Sequence, residues 1–204
     1  MTTHVYIDVS NLFYGGEKSL GWKIDYLKLF DYLKNKYSAE KIFYFGGVEI
    51  GNLRYDYMNS ETVPLIDLEK HLAKLSNEVS EKDLKRVHFY KKLSDFGYTL
   101  FLKPVKKYQS EDGSFKRKAN CDVDMTFEIM KNKDLFERAI MLSGDGDFLI
   151  VLKYLRNIGK EVYILSRSKR AAKEIRKFAG GNFMDFEYLR THLEFEEKKI
   201  YSYK

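Results

Sequence analysis

Five residues far apart in the chain carry side chains that suit one reaction: Asp8, Asn11, Asp122, Asp145 and Asp147. Asp8-Val9-Ser10-Asn11 closes an apolar run that begins at Val5, and Ser143-Gly144-Asp145-Gly146-Asp147-Phe148 follows the apolar run 139–142. Both places read as strand ends, where an open parallel α/β sheet keeps its ligand site. Carboxylates gathered there repel one another unless a cation sits between them. Hard divalent cations such as Mg²⁺ or Mn²⁺ take oxygen ligands and activate water for attack on a phosphodiester. Metal-assisted phosphodiester hydrolysis is the chemistry this residue set suggests.

Each residue also has a plainer role to set beside that one. Asp8 projects toward the C-terminal edge of the sheet, with Ser10 beside it, and Asn11 can orient it or bond a water or phosphate oxygen. Asp, Ser and Asn also favour simple strand-end turns. Gly144 and Gly146 let the backbone turn sharply and approach a ligand. Asp145 and Asp147 can both reach a cation at the strand tip. Asp147 can instead cap the following helix, whereas Asp145 has no comparably simple structural role.

The helix expected over 120–131 allows a sharper reading. Val123, Thr126, Phe127, Ile129 and Met130 define a broad apolar arc, and Asp122 falls inside it beside Thr126 and Ile129. Asp124, Glu128 and Lys131 fall on the opposite, solvated side. A carboxylate turned toward the interior is costly unless it meets a cation or donors, so Asp122 is the functional member. A salt bridge to Lys116, Arg117 or Lys118, or stabilisation of the helix dipole, is the alternative.

A parallel sheet must align these residues. Short apolar runs at 5–9, 41–45, 98–104, 139–142 and 161–165 are the expected strands, alternating with helical patterns as βα units do. Helices are expected over 25–37, with Asp25 as N-cap and Tyr26, Leu27, Phe30 and Leu33 at helical spacing, and over most of 61–95, broken near Ser80. Others are expected over 120–131 with Asn120 as N-cap, 147–157 stopping at Gly159, 168–178, and 186–197. Residues 105–118 are polar and basic, contain Asp112-Gly113, and read as a surface turn or short hairpin.

The chain of 204 residues is 44% apolar and 32% charged, with two prolines and no Ser/Gly/Pro-rich linker, which favours one compact unit. Thirty-six basic against 30 acidic residues give a net charge of +6, compatible with a polyanionic partner. Lys103, Lys106, Lys107, Lys116, Arg117 and Lys118 flank the expected hairpin, with Tyr108 and Phe115 interleaved. A second basic group follows the acidic turn, from Lys153 and Arg156 through Lys160, Arg167 and Arg170 to Lys177. Such clusters grip phosphates, and they also simply keep surfaces soluble. The single cysteine, Cys121, excludes an internal disulfide and is expected to be a packed side chain in a reducing, cytoplasmic setting. No signal-peptide pattern opens the chain and no apolar stretch approaches the ~18 residues a membrane span needs. No G-x-x-x-x-G-K-[ST] loop exists, no G-x-G-x-x-G follows the first strand, and the four histidines lack zinc-ligand spacing. A phosphatase with Asp-x-Asp after its first strand is set aside because Ser10 stands where the second carboxylate belongs.

The ordered set Ile7-Asp8-Val9-Ser10-Asn11-Leu12, Lys118-Ala119-Asn120-Cys121-Asp122-Val123, Ser143-Gly144-Asp145-Gly146-Asp147-Phe148 and Gly159-Lys160-Glu161-Val162 resembles the NYN domain, LabA-like group included, of the PIN-like nuclease superfamily. The resemblance covers roughly 4–186. It implies a three-layer α/β/α fold around a mainly parallel sheet, in a domain over 1–186 with a charged helical extension over 187–204. It also implies ribonuclease activity with Mg²⁺ or Mn²⁺ held by Asp8, Asp122, Asp145 and Asp147, with Asn11 as polar companion. Lys118, with Arg117 and Lys116, would contact phosphate, and Ser143 and Ser10 would assist at the cleft. The family's second acidic position on the central helix falls at Glu128, against the helical-wheel reading. Ala179-Gly180-Gly181-Asn182-Phe183 departs from the Ala-Asp-x-Phe common among relatives, so an outer acidic residue is expected to be missing. A catalytically silent RNA-binding module on the same fold is the rival reading, and a homodimer stays open.

Overall fold

The computed structural model describes residues 1–50, 53–75, 80–109 and 115–196, without the side chains at 15–16, 107–108 and 115–118. The turn expected at Asp112-Gly113 and the last residues of the extension lie outside the described residues. The described strands are β1 (Thr3–Asp8), β2 (Ala39–Val48), β3 (Thr99–Pro104), β4 (Lys106–Gln109), β5 (Phe115–Lys118), β6 (Arg138–Leu142), β7 (Glu161–Ser166) and β8 (Phe183–Asp185). Six of them form one parallel sheet in the order β3-β2-β1-β6-β7-β8, and β4 pairs with β5 as a separate antiparallel hairpin.

Both faces of the sheet are covered, so its strands are apolar on both sides and alternate between two cores. Val5, Ile7, Ile42, Tyr44, Ile140 and Leu142 face one layer. Tyr6, Phe43, Phe45, Ala139 and Met141 face the other. Helices α1 (Tyr26–Tyr37), α2 (Leu65–Leu75) and α3 (Glu81–Phe96) cover the first face, and α4 (Asp122–Lys131), α5 (Leu149–Asn157) and α6 (Lys173–Ala179) the second. The three-layer α/β/α architecture expected from the sequence is the architecture found.

Local chemistry sets the helix limits. Asp25 caps α1 by accepting from the N–H groups of Leu27 and Lys28, and Ser80 caps α3 by accepting from Asp83. The chain leaves α3 at Gly97, whose φ of +102° suits a residue without a side chain. The buried stripe of α1 is Leu29, Leu33 and Tyr37, while Leu27 is exposed.

Three expectations need correction. The sheet has a sixth strand, β8, whose three residues are too few to display a period. Helix α6 begins at Lys173 rather than at 168. Residues expected to form one C-terminal helix make a 3-10 turn, Phe186–Leu189, and a single helical turn, Arg190–Leu193. There Phe186, Leu189 and Leu193 are buried in the α1-side core, and backbone bonds from Asp25 N–H to Leu193 O (2.8 Å) and from Phe195 N–H to Lys23 O (2.9 Å) draw the chain straight.

The strand order places a topological switch between β1 and β6. From β1 the chain builds outward to β2 and β3, then returns to the other side for β6, β7 and β8. The crevice beyond the carboxyl ends of such a strand pair is where doubly wound sheets bind ligands.

Candidate active site

Pairing of Ile7 with Leu142 brings the residues that follow them, Asp8 and Ser143, to the same level at the switch point. Ser143 Oγ donates to Asp8 Oδ2 at 3.1 Å, and the N–H of Asn11 donates to Asp8 Oδ1 at 3.1 Å. Asn11 Oδ1 in turn accepts from the N–H of Gly144 at 3.0 Å and from Ser166 Oγ at 3.4 Å. One side-chain amide therefore ties the tips of β1, β6 and β7 together. Close approach explains Gly144: a Cβ there would stand 2.7 Å from both Ala171 Cα and Ser166 Oγ.

The acidic turn folds on itself. Asp145 N–H donates to Ser143 Oγ at 3.2 Å, and Asp145 Oδ1 accepts from Asp147 N–H at 3.0 Å. Asp145 is thus the capping residue and Asp147 is not, so the capping role offered as Asp147's alternative falls to Asp145 instead. The reason is a 3-10 turn, Gly146–Phe148, inserted before α5, which moves the cap forward.

Asp8, Ser10, Asn11, Asp122, Asp145 and Asp147 line one open cleft of about 450 Å³, together with Tyr14, Asn120 and Arg170. Three separate stretches of chain supply these carboxylates. Asp122 comes from the first turn of α4, where its N–H donates to Asn120 Oδ1 at 3.2 Å. Asn120 thus performs a capping role one residue outside the helix. Burial, outweighing hydrogen bonds from Asn11 and Ser143 and reinforced by the charges of Asp122 and Asp145, pushes the Asp8 carboxyl up to about 6. No arginine or lysine reaches Asp8 among the described residues.

The donors fit a hard cation in chemistry, being oxygen throughout, and a cation would offset the burial and the neighbouring acids that raise Asp8. Among the described residues no three acidic, His or Cys side chains stand close enough to hold an ion by themselves. Mg²⁺ is commonly held by one or two carboxylates with waters and substrate phosphate completing its shell, so the open cleft suits that mode.

Helix α4 corrects the wheel reading. Glu128 is 7% exposed and faces inward with Met125 and Ile129, whereas Val123 and Phe127 point to solvent. Counting those two exposed apolar residues rotated the expected arc. Asp122 still lies at the edge of the true buried stripe, at 100° steps from Met125 and Ile129. Glu128 does not line the acidic cleft; its Oε1 accepts from Asn132 Nδ2 at 2.6 Å.

The basic groups divide. Arg170 lines the cleft, but Lys160 donates to Phe136 O at 2.7 Å and Arg156 to Phe178 O at 2.8 Å. Arg167 is buried against Asp185 and Glu187, and Lys103 pairs with Asp124. Lys116, Arg117 and Lys118 are described in backbone only, Lys118 standing opposite Lys106 and Arg117 opposite Lys107. Cys121 is a packed side chain whose thiol is pushed up to about 12 by burial and by Asp124, so it is no thiolate nucleophile. Tyr14 and Ser166 were missed: Leu12–Glu17 is a π-helical turn with no period to read, and Ser166 gains its role only when β7 lies beside β6.

A family model described as the NYN domain matches residues 2–189. The Low amplitude and bright protein LabA of Synechococcus elongatus is 21% identical over 198 residues, spanning 95% of this chain and 88% of that protein. The crystal structure of a protein of unknown function from Vibrio parahaemolyticus superposes with a TM-score of 0.61 and 19% identity, over 90% of this chain and 91% of its own. The D15 protein of T5, co-crystallised with metal ions, superposes more loosely, with a TM-score of 0.41 and 14% identity over 87% of this chain and 59% of that one.

Proposed function

Because the chain belongs to the NYN domain family, we propose that it is a metal-dependent ribonuclease whose active site is the cleft at the tips of β1 and β6. The observation that carries this reading is the convergence of Asp8, Asp122, Asp145 and Asp147 on one open cleft. Burial and the neighbouring acids raise Asp8 there, and no basic side chain among the described residues offsets it.

In this reading one or two of Asp8, Asp122, Asp145 and Asp147 would hold Mg²⁺ or Mn²⁺ directly, the others acting through its waters. A cation held there would supply an activated water and neutralise charge developing on the phosphate. Ser143 and the Asn11 N–H fix the Asp8 carboxylate, and the Asn11 side chain fixes the acidic turn. Arg170 and Ser10, on the cleft wall, contact the phosphate. The hairpin supplies further grip, since its register sets Lys106 opposite Lys118 and Lys107 opposite Arg117. No helix among the described residues is long and apolar enough to cross a membrane, and a cytoplasmic setting suits both RNA and the lone thiol.

The test is cleavage of labelled single-stranded RNA with Mn²⁺ and with EDTA, beside Asp8→Asn and Asp145→Asn. Asn preserves the capping geometry at both positions, so lost cleavage reports lost charge. Cleavage in EDTA, or equal cleavage by the variants, ends this reading. Binding without cleavage favours the silent RNA-binding module instead.

A further inference from the structure

A second hollow lies on the far side of α4 from the catalytic carboxylates. It is a cavity of about 220 Å³ between the segment after β2, strand β3 and α4, and its aromatic wall is Tyr55, Tyr57, Phe101 and Phe127. Tyr57 and Phe127 are 56% and 59% exposed, an arrangement that hydrophobicity alone disfavours. Tyr55 stands edge-on to Tyr57 with ring centroids 4.7 Å apart, and Lys106 Nζ lies 5.0 Å over the Tyr57 ring.

This hollow is continuous with the acidic cleft. Tyr57 and Lys103 also line an intermediate recess, which includes Lys106. That recess shares Ala119 and Asn120 with the cleft. A chain whose reacting phosphate sits at Asp8 can therefore run over Ala119 and Asn120, pass a further phosphate by Lys106, and reach Tyr57.

We propose that this cavity is a base-binding subsite which takes one unpaired base of the RNA, making single strands rather than duplexes the substrate; the inference rests on the nuclease reading of the cleft. Aromatic faces stack on any splayed base, whereas a base held in a duplex is not free to enter. The cavity suits a base better than a phosphate because carboxylates of Asp124 and Glu128 stand in its wall. Asp124 is paired with Lys103, while Glu128 Oε2 accepts no hydrogen bond among the described residues and stands 3.5 Å from Lys131 Nζ. Both push a phosphate away and tolerate the N–H edge of a base.

The test is fluorescence polarisation in EDTA, with a labelled RNA of about ten nucleotides presented single-stranded or annealed to its complement. Wild type is expected to bind the single strand at least about tenfold more tightly than the duplex. Tyr57→Ala is expected to weaken single-strand binding about tenfold and leave duplex binding alone, and Tyr57→Phe to restore it. Tyr57 is exposed, so a matching thermal midpoint confirms an intact fold. Single-strand binding unchanged in Tyr57→Ala, or equal loss for both RNAs, overturns the subsite. Mn²⁺-dependent cleavage by the wild type is scored separately. Its absence beside a Tyr57 effect removes the nuclease and leaves the stacking site, and its presence without a Tyr57 effect does the opposite.

Discussion

Asp8 and Asp185 are both 8% exposed aspartates at the carboxyl ends of strands in one sheet, and their surroundings are opposite. Asp185, on β8, meets the buried guanidinium of Arg167 at 3.1 Å, and Glu187 closes the group. Asp8, on β1, meets a hydroxyl and an N–H, with Asp122 and Asp145 as its charged neighbours. The first arrangement pairs its buried carboxylate internally and locks β7 to β8. The second leaves its charge to be answered from outside, as reactive sites do. Equal burial says nothing about role; the sign of the surrounding charge does.

The contrast can be broken most severely through catalysis. Asp8→Asn should lower Mn²⁺-dependent RNA cleavage by at least about a hundredfold in single-turnover assays. Asp185 should answer to stability instead. Arg167→Met strands a buried carboxylate and should lower the unfolding free energy by about 3–5 kcal/mol in urea titrations.

The two aspartates should then differ in sign. The folded-state value of Asp8, about 6, lies above its ordinary 3.8, so the native protein holds this proton more tightly than the unfolded chain. Its contribution to stability is full below about pH 4 and is lost as pH rises through about 6. Asp8→Asn should therefore stabilise the metal-free protein by about 3 kcal/mol at pH 7, the gain closing toward pH 4. Urea midpoints across that range in EDTA check it, and a destabilised variant at neutral pH refutes it.

Smallest of all is the effect of a bound ion. Saturating Mn²⁺ should raise the wild-type unfolding free energy by about 2–3 kcal/mol and leave Asp8→Asn unmoved. Glu128→Gln should keep the wild-type thermal shift within about 1 °C, since Glu128 lies outside the cleft. A lost shift there would return Glu128 to the metal site.

Much of the fold was legible because the central strands β1, β2, β6 and β7 are largely buried on both sides and bounded by helical patterns. β8 was not, because Phe-Met-Asp is too short to show a period and the next residues resemble a helix. Asp8 stood out as a carboxylate directly after an apolar run and Asp145 as one three residues past another, placements that need no tertiary knowledge. The orientation of α4 was misjudged because Val123 and Phe127 are apolar yet exposed, a property set by what lies above the helix. The exchange of capping roles between Asp145 and Asp147 hung on a 3-10 turn that propensity does not reveal. Tyr14, Arg170 and Ser166 join the cleft region only after the sheet is assembled.

The amide of Asn11, bonded to both Gly144 and Ser166, separates the molecule into a floor and a removable rim. Asp8 and the acidic turn inherit their spacing from the sheet ladder, while in the proposed reading the hairpin and the segment after β2 meet the RNA from outside that ladder. In the proposed reading, swapping either rim piece for one from another sequence would retarget the protein without retuning its chemistry, leaving the scaffold as a chassis for grafted specificity.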